Sequence, residues 1–200
     1  MEKTVVFADA EKYVKSRLSE KRFRHTMGVV ETAETLAKRY GADVDQARLA
    51  ALLHDVTKEY DYQKQLKTCT EWRIILDEVT YSESALLHAV TGAELARRMF
   101  GAGDAVCRAI RSHTTGAAEM TILDKIICLA DYIEPNRVFP GVDHLRTLSA
   151  ESLDRALLEA IDGTIVHTIQ MKKIVHPDSL LARNALLRTI GTCDSAIEKG

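Results

Sequence analysis

Turn-forming residues are scarce in this chain, with three prolines and ten glycines spread over 200 residues. A fold of many short strands needs a turn about every 8–12 residues, and this chain lacks the residues to make them. Long helices tolerate the scarcity. Apolar side chains recur at helical spacing, as in Val29, Ala33, Leu36 and Tyr40 ahead of Gly41, or Leu49, Leu52, Leu53 and Val56. No alternating strand of convincing length interrupts them. The pattern predicts an all-α fold, a single-domain helical bundle over residues 1–200, with a core at about 20–140 and a helical pair at about 150–199.

Helices are predicted over about 8–18, 23–40 and 45–58, with 19–22 as a polar linker between the first two. Residues 61–66 and 70–76 read as two short helices. Longer ones follow at about 82–99, at 105–112 after an Asp104 N-cap, and at 121–133, where Pro135 stops the helix. Residues 134–147 read as the longest irregular segment, and helices over 152–172 and 179–199 complete the chain.

An apolar fraction of 46% and a charged fraction of 28% are ordinary for a globular protein, and the net charge of −2 argues against a nucleic-acid-binding surface. Four cysteines show no CxxC pairing, so no disulfide framework is expected and a reducing cytoplasm is the natural compartment. The first 13 residues do not resemble a signal peptide, and no apolar run suits a membrane span.

The chemistry lies in where the histidines and a few acids fall. His25 is four residues before Val29 and eleven before Leu36, on the buried stripe of its helix. His54 and Asp55 close a helix whose preceding turns are apolar. His88 and His113 also fall on inward faces, and Asp131 ends the apolar run Ile126-Ile127-Cys128-Leu129-Ala130. One inward histidine is usually a hydrogen-bonded core residue, and a lone His-Asp dipeptide carries little weight. Together, these six groups would each cost several kcal/mol to bury without partners. A shared divalent cation resolves the cost, since imidazole and carboxylate together suit iron, manganese, cobalt or zinc.

The order His25, His54-Asp55, Asp131, each on a helix, resembles the HD-domain metal phosphohydrolase superfamily. Four stretches carry the match further: Arg24-His25-Thr26, Ala50 through Lys58, Arg111-Ser112-His113-Thr114-Thr115-Gly116 with His88 before it, and Leu129-Ala130-Asp131-Tyr132-Ile133-Glu134-Pro135-Asn136-Arg137. Together they resemble the bacterial YqeK-type symmetrical bis(5′-nucleosyl)-tetraphosphatases, over about residues 10–190. Residues 60–81 carry nothing that matches.

The resemblance implies that His25, His54, Asp55 and Asp131 ligate a divalent transition metal, with iron first and manganese or cobalt as alternatives. It implies attack by a metal-bound water that cuts diadenosine tetraphosphate into two ADP. Asp55, Lys58, His88 and His113 are the expected catalytic residues; His88, His113, Thr114, Arg137, Lys58 and Arg24 are the expected substrate contacts. Arg22 reads as solvated, and His144, His167 and His176 receive no role. The partner is a small nucleotide, with no nucleic acid or membrane, and a homodimer is the oligomer to test. An HD-type nucleotidase or deoxynucleotide triphosphohydrolase and a non-catalytic nucleotide sensor are the competing functions.

Overall fold

A computed structural model describes residues 7–197, with side chains through Gly191. Among these residues are eleven α-helices and no strand: α1 (Phe7–Arg17), α2 (Glu20–Tyr40), α3 (Val44–Leu53), α4 (Tyr62–Trp72), α5 (Glu78–Ser82), α6 (Leu87–Phe100), α7 (Asp104–Ser112), α8 (Ile122–Ile133), α9 (Val142–Glu151), α10 (Leu153–Gln170) and α11 (Pro177–Ile197). A 3₁₀ turn at Ser84–Leu86 leads into α6. No helix among them is long and apolar enough to cross a membrane.

α8 is the central post. Its apolar surface, with Ile126, Ile127, Leu129 and Ala130 fully buried, packs against α2, α3, α7, α9 and α10. A capping box between Thr121 and Asp124 starts this helix, and buried Asp124 also receives Arg108 Nε at 3.0 Å. Glu134 ends it in an extended conformation, as the residue before Pro135 should.

Several boundaries differ from the sequence reading. Residues 19–22 are not a linker: Ser19 is the N-cap of α2, its hydroxyl accepting from Arg22 N, so Arg22 belongs to the first helical turn. α3 stops at Leu53 rather than near Lys58. Beyond it the backbone makes three-residue turns, Lys58 N to Asp55 O and Tyr60 N to Thr57 O. Such tight turns eclipse residues three apart, which sets Lys58 over Asp55. The two short helices expected between 61 and 76 are one, α4, capped by Asp61 and closed by Arg73 at φ +58°. The helix expected from 82 is broken by an extended Glu83, and α6 begins only at Leu87. Gly103, not Asp104, occupies the cap of α7. The segment expected to be irregular is so through Gly141, but its last six residues open α9, where Arg146 donates to the carbonyls of Ile133, Glu134 and Arg137. The C-terminal pair forms as expected, with Pro177 at the first position of α11, which its missing N–H favours; residues 198–199 lie outside the described residues.

Candidate active site

α2, α3, α6, α7 and α8 direct four imidazoles and two carboxylates into one space. His54, His88 and His113 are almost wholly buried, as is Asp55. Three rings are oriented by their Nδ1 atoms: His54 Nδ1 lies 2.6 Å from Ala51 O, His113 Nδ1 2.7 Å from Ile110 O, and His25 Nδ1 3.0 Å from Glu134 Oε1. With the proton held at Nδ1, each Nε2 presents a lone pair to the centre.

Those lone pairs meet carboxylate oxygens. His25 Nε2 is 3.0 Å from Asp131 Oδ1 and 3.9 Å from Asp55 Oδ2, and His54 Nε2 is 3.8 and 3.7 Å from the same two atoms. Neither His25 Nε2 nor His54 Nε2 makes a hydrogen bond, although both are buried. Buried polar atoms of this kind normally have a partner. Ligands of an ion at about 2.1 Å stand about 3.0 Å apart when adjacent and about 4.2 Å when opposite. The four observed separations fall within or close to that window, so each of these imidazole–carboxylate pairs is spaced to share a cation, and His25, His54 and Asp55 together form a donor triplet with ligand atoms within 4.8 Å of one another. Further donor triplets, His54/His113/Asp131 and Asp55/His88/His113, have ligand atoms within 4.8 Å of one another.

The electrostatics fit the same reading. Burial alone would raise the Asp55 carboxyl, but His54, His88 and Lys58 outweigh it and hold it well below the usual carboxylate range. Asp131 is lowered too, against burial, by His25, His54 and Arg137. Arg137 also offsets the unfavourable placement of a carboxylate in the last turn of a helix. Burial opposes charge on His25, yet Asp131 and Glu134 raise it above the ordinary imidazole value. Burial, with His54 and His88 alongside, lowers His113 to about 3, and burial lowers His88 and Lys58.

Basic groups line one side of the centre. Lys58 Nζ is 3.9 Å from Asp55 Oδ1 and 3.0 Å from His88 Nε2. Arg137 donates to Asp131 Oδ1 at 2.6 Å and to the Asp131 carbonyl at 2.9 Å. A cleft of about 780 Å³ opens from Asp131, Arg137 and His113 toward Tyr132, Phe139 and α10. Thr114 stands in its wall, whereas Gly116, at φ +69°, turns toward Ala182 of α11. His144 and His167, to which the sequence assigned no role, also line this cleft, and His176 instead pairs with Asp77 at 3.2 Å.

Arg24 does not reach the centre: it pairs with Glu20 at 3.2 Å on an exposed face. Arg22, two residues earlier, faces inward and donates to Asp55 Oδ2 at 2.8 Å. The shift follows from starting α2 at Glu20, with Arg22 in its first turn. Sequence reasoning also missed Glu134. This buried carboxylate receives His25 and Asn136, and a Cβ at Gly28 would collide with its Oε2. A glycine three residues after His25, on the same helix face, was the available signal.

Comparison with known proteins agrees with the geometry. The HD domain family profile matches residues 22–136. The chain is 43% identical over 175 residues to the symmetrical bis(5′-nucleosyl)-tetraphosphatase of Halalkalibacterium halodurans, covering 87% of this chain and 93% of that protein. It is 41% identical to the protein of the same name from Bacillus subtilis, again over 87% of this chain and 94% of the relative. The crystal structure of an HD superfamily hydrolase from Clostridium acetobutylicum, described as involved in NAD metabolism, superposes with a TM-score of 0.88 at 39% identity, covering 92% of this chain and 98% of that one. The chain therefore belongs to the HD domain family.

Proposed function

We propose that this chain is a metal-dependent hydrolase of dinucleoside polyphosphates that cuts diadenosine tetraphosphate between its two central phosphates to give two ADP. The observation that carries the reading is the pair of buried, unbonded nitrogens, His25 Nε2 and His54 Nε2, facing Asp55 and Asp131. These four residues hold the ion, and their mixture of imidazole and carboxylate suits iron first, then manganese or cobalt. A divalent metal held there supplies Lewis acidity and makes water a nucleophile near neutral pH. The relatives' names supply the substrate class.

The remaining residues bind the polyanion and manage protons. Arg137 offers a planar fork at the mouth of the large cleft, where it grips phosphoryl oxygens in pairs. Lys58 and Arg22 bring positive charge against Asp55 and neutralise charge that builds on the transferred group. His113, lowered to about 3, stays neutral at pH 7 and offers hydrogen bonds rather than charge. His88 Nε2 delivers a proton to the departing diphosphate and is resupplied by Lys58 Nζ, 3.0 Å away. Thr114 contacts the nucleotide in the cleft, whose volume of about 780 Å³ admits a whole nucleotide by the usual range of about 300–1,000 Å³. Arg24 has no part in this scheme.

We place the enzyme in the cytoplasm, where the buried thiols Cys69 and Cys107 stay reduced. The core and the helical pair at about 150–199 act as one unit, since α10 packs on α8 and forms a wall of the cleft.

Metal-loaded protein incubated with diadenosine tetraphosphate should yield ADP alone by anion-exchange chromatography. ATP with AMP, nucleoside with tripolyphosphate, or binding without turnover would each overturn the assignment.

A further inference from the structure

A second, smaller hollow meets the centre at Lys58 and His88, whereas the large cleft meets it at Asp131, Arg137 and His113. The hollow has a volume of about 210 Å³ and is walled by Lys58, Tyr60, Tyr62, Ser84, Ala85 and His88. It shares no lining residue with the large cleft. Where the two approach, His88 Nε2 from the hollow's wall stands 3.1 Å from His113 Nε2 in the cleft's wall.

Size separates their capacities. About 780 Å³ lies within the usual range for a small-molecule site and about 210 Å³ below it, so the hollow takes a base or a ribose rather than a whole nucleotide. Its chemistry suits a base. Tyr62 retains 37% exposure, and its hydroxyl is tied down by donating to Tyr81 O at 3.1 Å, which leaves an anchored, open ring. Tyr60 has one face covered by Lys64 Nζ at 3.5 Å. No carboxylate lines the hollow, and Lys58 stands at its inner threshold, so a polyphosphate leaving the centre on this side meets only positive charge.

We propose that this hollow is a second nucleoside subsite, in which the base of one nucleotide half stacks on Tyr62 while the large cleft holds the other half. The inference rests on the hydrolase reading given above. Cutting a tetraphosphate at its middle requires a nucleoside diphosphate on each side of the reacting bond. Two hollows that meet one centre at different residues place the bond by gripping both ends. A site with one lobe would measure from a single end.

Ala85 is exposed in the hollow's wall, so Ala85→Trp fills it without disturbing the core. Tyr62→Ala removes the platform, and Tyr62→Phe keeps the ring. Each protein, metal-loaded, is assayed on diadenosine tetraphosphate and on adenosine 5′-tetraphosphate, which has one nucleoside, and is titrated calorimetrically with ADP. The wild type should bind two ADP and Ala85→Trp one. Ala85→Trp and Tyr62→Ala should lower kcat/KM for the dinucleotide by about ten-fold or more, the scale of one lost base stack, and leave the mononucleotide rate unchanged; Tyr62→Phe should behave as wild type. A single ADP site in the wild type, or equal effects on both substrates, would overturn the subsite. Wild-type products other than ADP would instead overturn the hydrolase reading beneath it.

Discussion

His54 and Leu87 belong to neighbouring helical segments, yet they sit in different packing units. His54 follows α3, whose Leu52 and Leu53 join Ile126, Ile127 and Leu129 in one continuous core linking α2, α3, α7 and α8. Leu87 belongs to a satellite of three buried residues, with Cys69 and Val90, completed by the partly exposed Leu66, Ile74 and Leu76. The segments that carry His25, His54 and Asp131 belong to the larger unit, whereas α6, which carries His88, is shared: Ala93, Leu95 and Ala96 lie in the larger core and Leu87 and Val90 in the satellite. The wall of the small hollow, from Tyr60 to Ala85, rests on the satellite. Local opening costs less where fewer apolar contacts are buried, so the donor frame is held firmly while that wall opens at lower cost. An enzyme that must position an ion closely and still admit a long polyanion is served by that division.

The sharpest way to break the comparison is at the donors. Asp55→Ala deletes a carboxylate that faces His25, His54, His88 and His113. Metal content by atomic emission and hydrolysis should both fall to background while the far-UV dichroism stays helical. Retained metal with full turnover would end the ligand assignment.

Packing is tested next. Leu129→Ala, in the main core, should cost about 2–5 kcal/mol in urea unfolding, and Leu66→Ala, in the satellite, only about 1–2 kcal/mol. Equal losses would erase the distinction between the two units. Amide exchange should show the same order, with α4 faster than α8.

Glu134→Gln leaves the frame intact but removes the charge that orients His25. It should weaken metal binding by about 10–100-fold, measured by competition with a chelator. An unchanged affinity would reduce Glu134 to a structural hydrogen bond.

The smallest effect is that of pH on the metal-free protein. Burial lowers His113 to about 3 and also lowers His88, whereas imidazoles of the unfolded chain titrate near 6.5. The unfolded chain then binds more protons, so this contribution is full above about pH 6.5 and is lost as pH falls toward 3, by at most about 1.4 kcal/mol per pH unit for each group. His25 opposes the trend: burial lowers it but Asp131 raises it further, so its contribution is present below 6.5 and lost as pH rises through the folded value. With two groups against one, urea unfolding in chelator should show stability declining from about pH 7 to about pH 5. A rise on acidification would contradict the balance.

The sequence could be read correctly where a residue's surroundings lie within its own helix. The scarcity of proline and glycine required helices, and three- and four-residue spacing put His25, His88 and Asp131 on apolar faces. It misled where a boundary depends on a distant partner. Arg22 read as solvated because the partner that turns it inward, Asp55, lies 33 residues on, and Ser19, the cap of α2, donates its backbone N–H to Glu59 forty residues away. The unwinding after Leu53 was equally hidden, because the segment is held by Thr57 donating to His88 O across 31 residues.

Helical class and the placement of His25, His54, His88 and Asp131 on apolar faces were thus contained in the order of residues, because hydrophobic periodicity and side-chain chemistry are local properties. Which arginine faces Asp55, which nitrogen each imidazole offers, how Glu134 reaches His25 109 residues away, and the presence of a second hollow were decided only when the helices packed. Those features are distances between elements remote in sequence, and a distance exists only once both elements are in place.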